Sequence, residues 1–245
     1  MDCFPKELLH LILNNINIVS LFKSKLVCKD TLIVANEILC DLFIYIENKG
    51  ILGLIKENFI HIKFAFKLKK FNNWVDGLRY ACFGGHLNIV NLIIDNGAND
   101  WDVGLFGACR GGHLDIVNLM IEKGADDWNE GLYCACRGGH LNIVNYMIDK
   151  GAKNWNWGLQ GACLGGHLDI VNLMIDKGAN DWIKGLCFAC EGGHLNIVKY
   201  MIEKGADKWD VGLRYACNAG HLNIVNYMID KGADPNICKH YDIHI

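Results

Sequence analysis

The chain has 245 residues, 51% of them hydrophobic and 21% charged, a composition that describes a folded globular protein and excludes a disordered polymer. Its formal net charge of −3 excludes a broad electrostatic search for nucleic acid, although the balance is uneven: residues 1–73 hold ten lysines against seven acids, a net of +3, and the remainder carries −6. No stretch reaches the roughly 18 consecutive apolar residues of a membrane span. Asn14, Asn15, Asn17 and Lys23 interrupt the most apolar early segment, and Asp2, Pro5 and Glu7 stand where a secretory leader has its cationic start. A cytoplasmic protein with neither membrane nor nucleic-acid partner is the expectation.

In chain order, the first element is a helix opened by Pro5, with Leu8, Leu9, Ile12 and Leu13 along one face. The run Pro5, Glu7, Leu8, Leu9, Ile12, Leu13, Ile16, Leu21 and the closing Leu26, Val27, Cys28, Lys29 resembles an F-box, with Thr31 where many members have Trp. The resemblance covers about 40 residues and implies a partner, the Skp adaptor of cullin-type ubiquitin ligases. Phe4, Pro5, Leu8, Leu9, Ile12, Leu13, Leu21, Leu26 and Val27 would contact that adaptor by groove-type recognition. From the residues alone, residues 1–46 read equally as an apolar helical cap, since every repeat array needs its end covered.

From Trp74 onward the sequence repeats every 27 residues: Trp74, Trp101, Trp128, Trp155, Trp182 and Trp209 keep that interval, as do His86, His113, His140, His167, His194 and His221. Six tandem units therefore span residues 74–236, and each must bury its apolar face against its neighbours. Within a unit two helices fit. The first runs from near Gly104 to Arg110 with Leu105, Ala108 and Cys109 inward; Gly111-Gly112 turns the chain; the second starts near His113 and carries Leu114, Ile116, Val117, Leu119, Met120 and Ile121, a band broad enough to be sandwiched between repeats. Lys123 and Gly124 supply a basic last turn and a left-handed C′ glycine. The indole of each repeated Trp is expected to cover the gap between successive units, its N–H bonded to a connector carbonyl. Upstream, residues 47–73 read as a degenerate capping repeat, with Gly50 in register 27 residues before Gly77 and the basic run Lys56, Lys63, Lys67, Lys69 and Lys70 as a solvated face. Residues 237–245 read as a short cap or a frayed tail.

Leu-x-x-Ala followed by Gly-His-Leu-x-Ile-Val-x-x-Met-Ile-x-x-Gly-Ala, six times over with only Ile93 and Ala219 as variations, resembles the ankyrin repeat. Each unit is about six residues shorter than the usual 33, and the shortfall lies where the family builds its β-hairpin. Trp-x-x-Gly replaces Thr-Pro-Leu-His, so the capping Thr is missing. The implied fold is all-α: an ankyrin-like helical solenoid of six 27-residue repeats with shortened or absent β-hairpins, preceded by the F-box-like segment. This short form resembles ankyrin proteins encoded by giant DNA viruses of amoebae, which implies action in a host cytoplasm.

Cys82, Cys109, Cys136, Cys163, Cys190 and Cys217 share one lattice position, where stacked helices stand roughly 8 to 10 Å apart and disulfides need Cα atoms within about 7 Å; they read as small buried hydrophobes in a reducing compartment. Each is four residues before a lattice His, but a zinc site needs four converging ligands. No copy stands apart as a Cys–His nucleophile, and Gly-Gly without further glycine spacing or Lys-Ser/Thr is no phosphate loop. No enzyme, cofactor or metal is expected.

Function is sought where the repeats differ: Arg79, Tyr80 and Phe83; Phe106 and Arg110; Tyr133 and Arg137; Trp157, Gln160 and Leu164; Phe188 and Glu191; Arg214, Tyr215 and Asn218. Their variation reads as freedom from packing, and all lie on the first helix or its entry. The ankyrin resemblance implies that this helix lines a concave face that binds a protein target, and aromatic and Arg side chains are common interface anchors. The competing reading is that the aromatics fill gaps between neighbouring first helices. A stand-alone scaffold or competitive binder without a ubiquitin link is the alternative to the ligase adaptor.

Overall fold

The computed structural model describes residues 74–241. The F-box-like segment, with its adaptor-facing residues from Phe4 to Val27, and the capping repeat at 47–73 lie outside the described residues. Described here are six helix pairs: α1 (Trp74–Phe83) and α2 (Leu87–Asp95), α3 (Trp101–Gly111) and α4 (Leu114–Lys123), α5 (Trp128–Gly138) and α6 (Leu141–Asp149), α7 (Trp155–Gly165) and α8 (Leu168–Asp176), α9 (Trp182–Gly192) and α10 (Leu195–Glu203), α11 (Trp209–Ala219) and α12 (Leu222–Asp230). A 3-10 helix, Pro235–Tyr241, follows, and no strand occurs among the described residues. The hairpin that a longer repeat would form is reduced to a connector such as residues 124–127.

Each first helix starts at its Trp, three residues earlier than the apolar spacing suggests. In four of the six an N-cap one residue before the Trp marks the start: Asp100, Asp127, Asn154 and Asp181 accept from the backbone N–H of Val103, Glu130, Trp157 and Lys184 at 3.3, 3.1, 3.2 and 3.1 Å. A side-chain oxygen there satisfies one of the orphan donors of the first turn, taking over the task of the missing Thr. The helix ends where Gly112 adopts φ +84° and the N–H of Gly112 and of His113 both return to the Ala108 carbonyl, at 2.9 and 3.1 Å.

Leu105, Ala108, Cys109, Ile116, Val117 and Met120 are buried, as are their counterparts in the other repeats, and no buried residue is polar among those described. The apolar band of the second helix is narrower than its sequence suggests. Leu119 and Ile121 are half-buried and Leu114 is 39% exposed, because the first residue of that helix sits at the edge of the stack. Backbones of adjacent first helices approach closely along the whole array, while those of second helices stand farther apart and meet through side chains.

The end of the array closes with a substitution of parts. Inside it, the lattice Cys of one repeat faces the Gly of the next: Sγ of Cys109 and of Cys136 lie 3.6 and 3.5 Å from where a Cβ would stand on Gly131 and Gly158. After the last repeat no such Gly follows, and Cys238 of the 3-10 helix takes its place, its Sγ 3.1 Å from that of Cys217. Residues 235–241 are thus an ordered cap, begun two residues before the expected tail.

Candidate functional site

The displayed residues of the first helices stand on a backbone that the following repeat holds in place. A Cβ added to Gly111 would collide with the Phe83 carbonyl oxygen, and the same relation links Gly138 to Arg110, Gly165 to Arg137 and Gly192 to Leu164. Only glycine allows helix and carbonyl to approach so closely. Two residues on, the ring of the lattice His bonds that same carbonyl: His113 Nε2 to Phe83 O and His140 Nε2 to Arg110 O at 3.1 Å, and His194 Nε2 to Leu164 O at 3.2 Å; in the last repeat, where Ala219 replaces the Gly, His221 Nε2 still bonds Glu191 O at 2.9 Å. Burial lowers the pKa of His140 and His194, with like charge from neighbouring lattice histidines adding to it against the hydrogen bond to the carbonyl, which raises it. Since a carbonyl oxygen only accepts, the ring donates from Nε2 in each of these bonds.

A second ladder replaces the hairpin. One Oδ1 of Asp102 accepts from the N–H of both Asp126 and Asp127 at 2.9 and 3.0 Å; Asn129 does the same for Lys153 and Asn154, both at 2.9 Å, and Asn156 for Asn180 and Asp181 at 2.8 and 3.0 Å. Trp101 and Trp155 lie half-buried beside Gly124 and Gly178 of their own repeats, and no indole N–H is hydrogen-bonded among the described residues, so the polar residue after the Trp makes the bond to the connector that was expected of the indole. At the junction of repeats five and six both devices are missing: exposed Ile183 occupies the bridging position, and Lys208 the N-cap, which makes no side-chain cap.

All fifteen variable residues fall on first helices and none is buried. Arg79, Phe83, Arg110, Arg214, Tyr215 and Asn218 are exposed; Tyr80, Phe106, Tyr133, Arg137, Trp157, Gln160, Leu164, Phe188 and Glu191 are half-buried. Side chains of adjacent repeats meet: Arg110 lies over the Phe83 ring at 5.5 Å, Tyr133 and Trp157 are 5.6 Å apart between centroids, Phe188 and Tyr215 6.4 Å. The variable positions are thus partly surface and partly seam, so variation there is not simply freedom from packing. At the position of Tyr80, the other repeats carry Gly107, Cys134, Gly161, Phe188 and Tyr215. A Cβ on Gly107 would collide with the Arg79 carbonyl, and the two first-helix pairs with Gly at this position are the most intimate in the stack.

The thiols are chemically quiet. Burial pushes Cys82 and Cys163 up to about 12, and Cys134 to about 12 with the Glu130 carboxylate contributing; Cys109, Cys136 and Cys190 are raised further. A thiol held protonated is a poor nucleophile and a poor metal ligand. No group of three or more His, Cys, Asp or Glu among the described residues is placed to hold a metal ion, and no helix among them is long and apolar enough to cross a membrane. What the face offers is aromatic area and guanidinium groups on a fixed frame.

The ankyrin repeats family matches the chain in three overlapping copies, over residues 78–156, 105–185 and 159–238. No curated protein matches it. Among solved structures, the crystal structure of the human ASB11 ankyrin repeat domain is similar at 24% identity, covering 64% of this chain and 84% of that one with a TM-score of 0.44.

Proposed function

Because the chain belongs to the ankyrin repeat family, a family of protein-interaction modules, we propose that its first-helix face captures a protein target and that residues 4–29 join the captured target to a Skp adaptor. A cullin-type ubiquitin ligase would then act by proximity alone. The observation that carries the recognition half is the row of mutually touching, solvent-reaching Arg and aromatic side chains whose backbone is fastened by the next repeat. Side chains on a fixed frame lose less entropy on binding, which favours affinity. A cytoplasmic setting is supported by the nine described cysteines, all free and buried.

The adaptor half rests on the F-box-like pattern from Pro5 to Lys29. Its test is capture of a eukaryotic Skp adaptor by the full-length protein, compared with the Leu8→Asp/Leu9→Asp variant. Capture by the parent and loss in the variant, with the repeats still folded by circular dichroism, establishes the ligase link. Retained capture in the variant removes the F-box assignment, and no capture by the parent leaves a stand-alone scaffold or competitive binder that acts through the first-helix face alone.

A further inference from the structure

The chain contains only four arginines against twenty lysines, and all four stand on the variable positions of first helices: Arg79, Arg110, Arg137 and Arg214. The two cations are not equivalent. Guanidinium is planar, less strongly hydrated than ammonium, and grips a carboxylate through two parallel N–H···O bonds. A chain that uses lysine everywhere else and arginine only here has placed carboxylate-binding forks on one face.

Three of the four stand on consecutive repeats, Arg110 and Arg137 at the same position and Arg79 four residues earlier in its unit. Arg79 bonds Asp76 at 3.0 Å and stacks on Tyr80 at 5.1 Å; Arg110 and Arg137 make no ion pair with any described residue. Burial lowers the Arg110 pKa, and the charges of Arg137 and Arg79 lower it further. Their backbones cannot spread to relieve this, because His140 holds the Arg110 carbonyl and Gly165 lies against that of Arg137. An anion between these groups would relieve the repulsion.

We propose that Arg110 and Arg137, with Arg79, Phe83 and Tyr133 beside them, bind an extended acidic segment of the captured protein, with two carboxylates three residues apart facing Arg110 and Arg137. This rests on the recognition reading above and adds the chemistry of the partner. The spacing follows from Arg110 and Arg137, which hold the same position of consecutive repeats; Arg79 stands four residues earlier in its unit and lies outside that period. Packed helices stand about 8 to 10 Å apart, and a polyproline II strand, rising about 3.1 Å per residue with three residues per turn, presents every third side chain to the same side after about 9 Å. The chain's own residues 1–73 carry +3 and do not complement the row. A long polyanion such as nucleic acid would have to continue past Glu191 along a repeat region whose net charge is −6.

The test uses full-length protein and fluorescent probes: a repeated Glu-Pro-Pro peptide, its Gln-Pro-Pro and Lys-Pro-Pro counterparts, and an oligothymidylate of matched charge. Expected are binding of the Glu peptide over the Gln peptide, weakening of about tenfold between low and physiological salt, and loss of at least about tenfold in the Arg110→Glu/Arg137→Glu variant. The variant should also gain affinity for the Lys peptide, which a misfolded protein would not. Equal binding of the Glu and Gln peptides, stronger binding of the oligothymidylate, or an unchanged affinity in the charge-reversed variant each overturns the proposal. A parallel capture from cell extract separates its failure from that of the recognition reading. Target capture lost in Tyr133→Ala/Trp157→Ala but kept in Arg110→Glu/Arg137→Glu would sink the acidic segment alone. Capture indifferent to all first-helix changes, yet lost on replacing the exposed Leu114 and Leu141 by Ser, would sink both.

Discussion

The two seams of the stack are built differently. Between first helices, backbone meets backbone: Gly138 packs against the Arg110 carbonyl with no side chain between, and His140 bonds that same oxygen. Between second helices side chains meet at the surface: Tyr146 Oη donates to Asn118 Oδ1 and Tyr200 Oη to Asn172 Oδ1, both at 2.8 Å. Register is therefore set where nothing flexible intervenes, and the helices that vary most in their displayed residues are those held most tightly. Fixed frame and free display belong to the same helix because they use different atoms of it.

Substitutions can break this comparison. The largest effect is expected of Gly138→Val, whose branched side chain would force α5 away from α3; overpacking of this kind costs about 3 kcal/mol. Gly151→Ala, at a left-handed position with φ +109° and open space around it, should cost only about 1 kcal/mol. Urea denaturation of the two variants measures the gap, and equal losses would mean that the close approach contributes nothing special.

The connector ladder comes next. Asn129→Ala strands two N–H groups and should cost about 1 to 2 kcal/mol; conversely, Ile183→Asp with Lys208→Asp restores bridge and cap to the junction that lacks both, for a gain of about 1 kcal/mol per site. Hydrogen exchange of the sixth repeat would report the gain locally, and no added protection there would show that the junction is not the weak point.

Acidification should act through the histidine ladder. Since His140 and His194 have lowered pKa values when folded, their contribution is fully present above the ordinary histidine range and is lost as pH falls through it. The thermal midpoint should drop below about pH 6.5, and less steeply in His140→Gln/His194→Gln; identical slopes would remove the histidines as the cause. The smallest change, within about 0.5 kcal/mol, is expected of Tyr146→Phe on the second-helix seam.

Much of the fold could be read from the period of 27 residues. It identified the lattice of Leu105, Ala108, Cys109, Ile116, Val117 and Met120 as interior because stacking needs the same residues in every unit. The start of the first helix is not legible from apolar spacing, which says nothing about caps, although Asp100, Asp127, Asn154 and Asp181, before four of the six Trp, are ordinary capping residues. Leu114 was assigned to the interior because hydrophobicity does not reveal where a stack has its edge. The Asp102 and Asn129 bonds were invisible for another reason: they join the start of a unit to the connector at its end, 24 and 25 residues on, and depend on how the two helices between fold back. The candidate face was legible as a set of varying positions, but contact between its members across repeats required the stack itself.

The fastening of each displayed residue by its successor has a consequence for how such a protein can change over generations. Every unit arrives with a fastener for the unit before it and an anchorage for the unit after it. Copying, deleting or exchanging whole units therefore leaves first-helix junctions of the same kind wherever the lattice Gly and His are kept, and the final unit is closed by Cys238 and its 3-10 turn. The surface can be rewritten a few letters at a time while the grammar that holds the letters in line stays untouched.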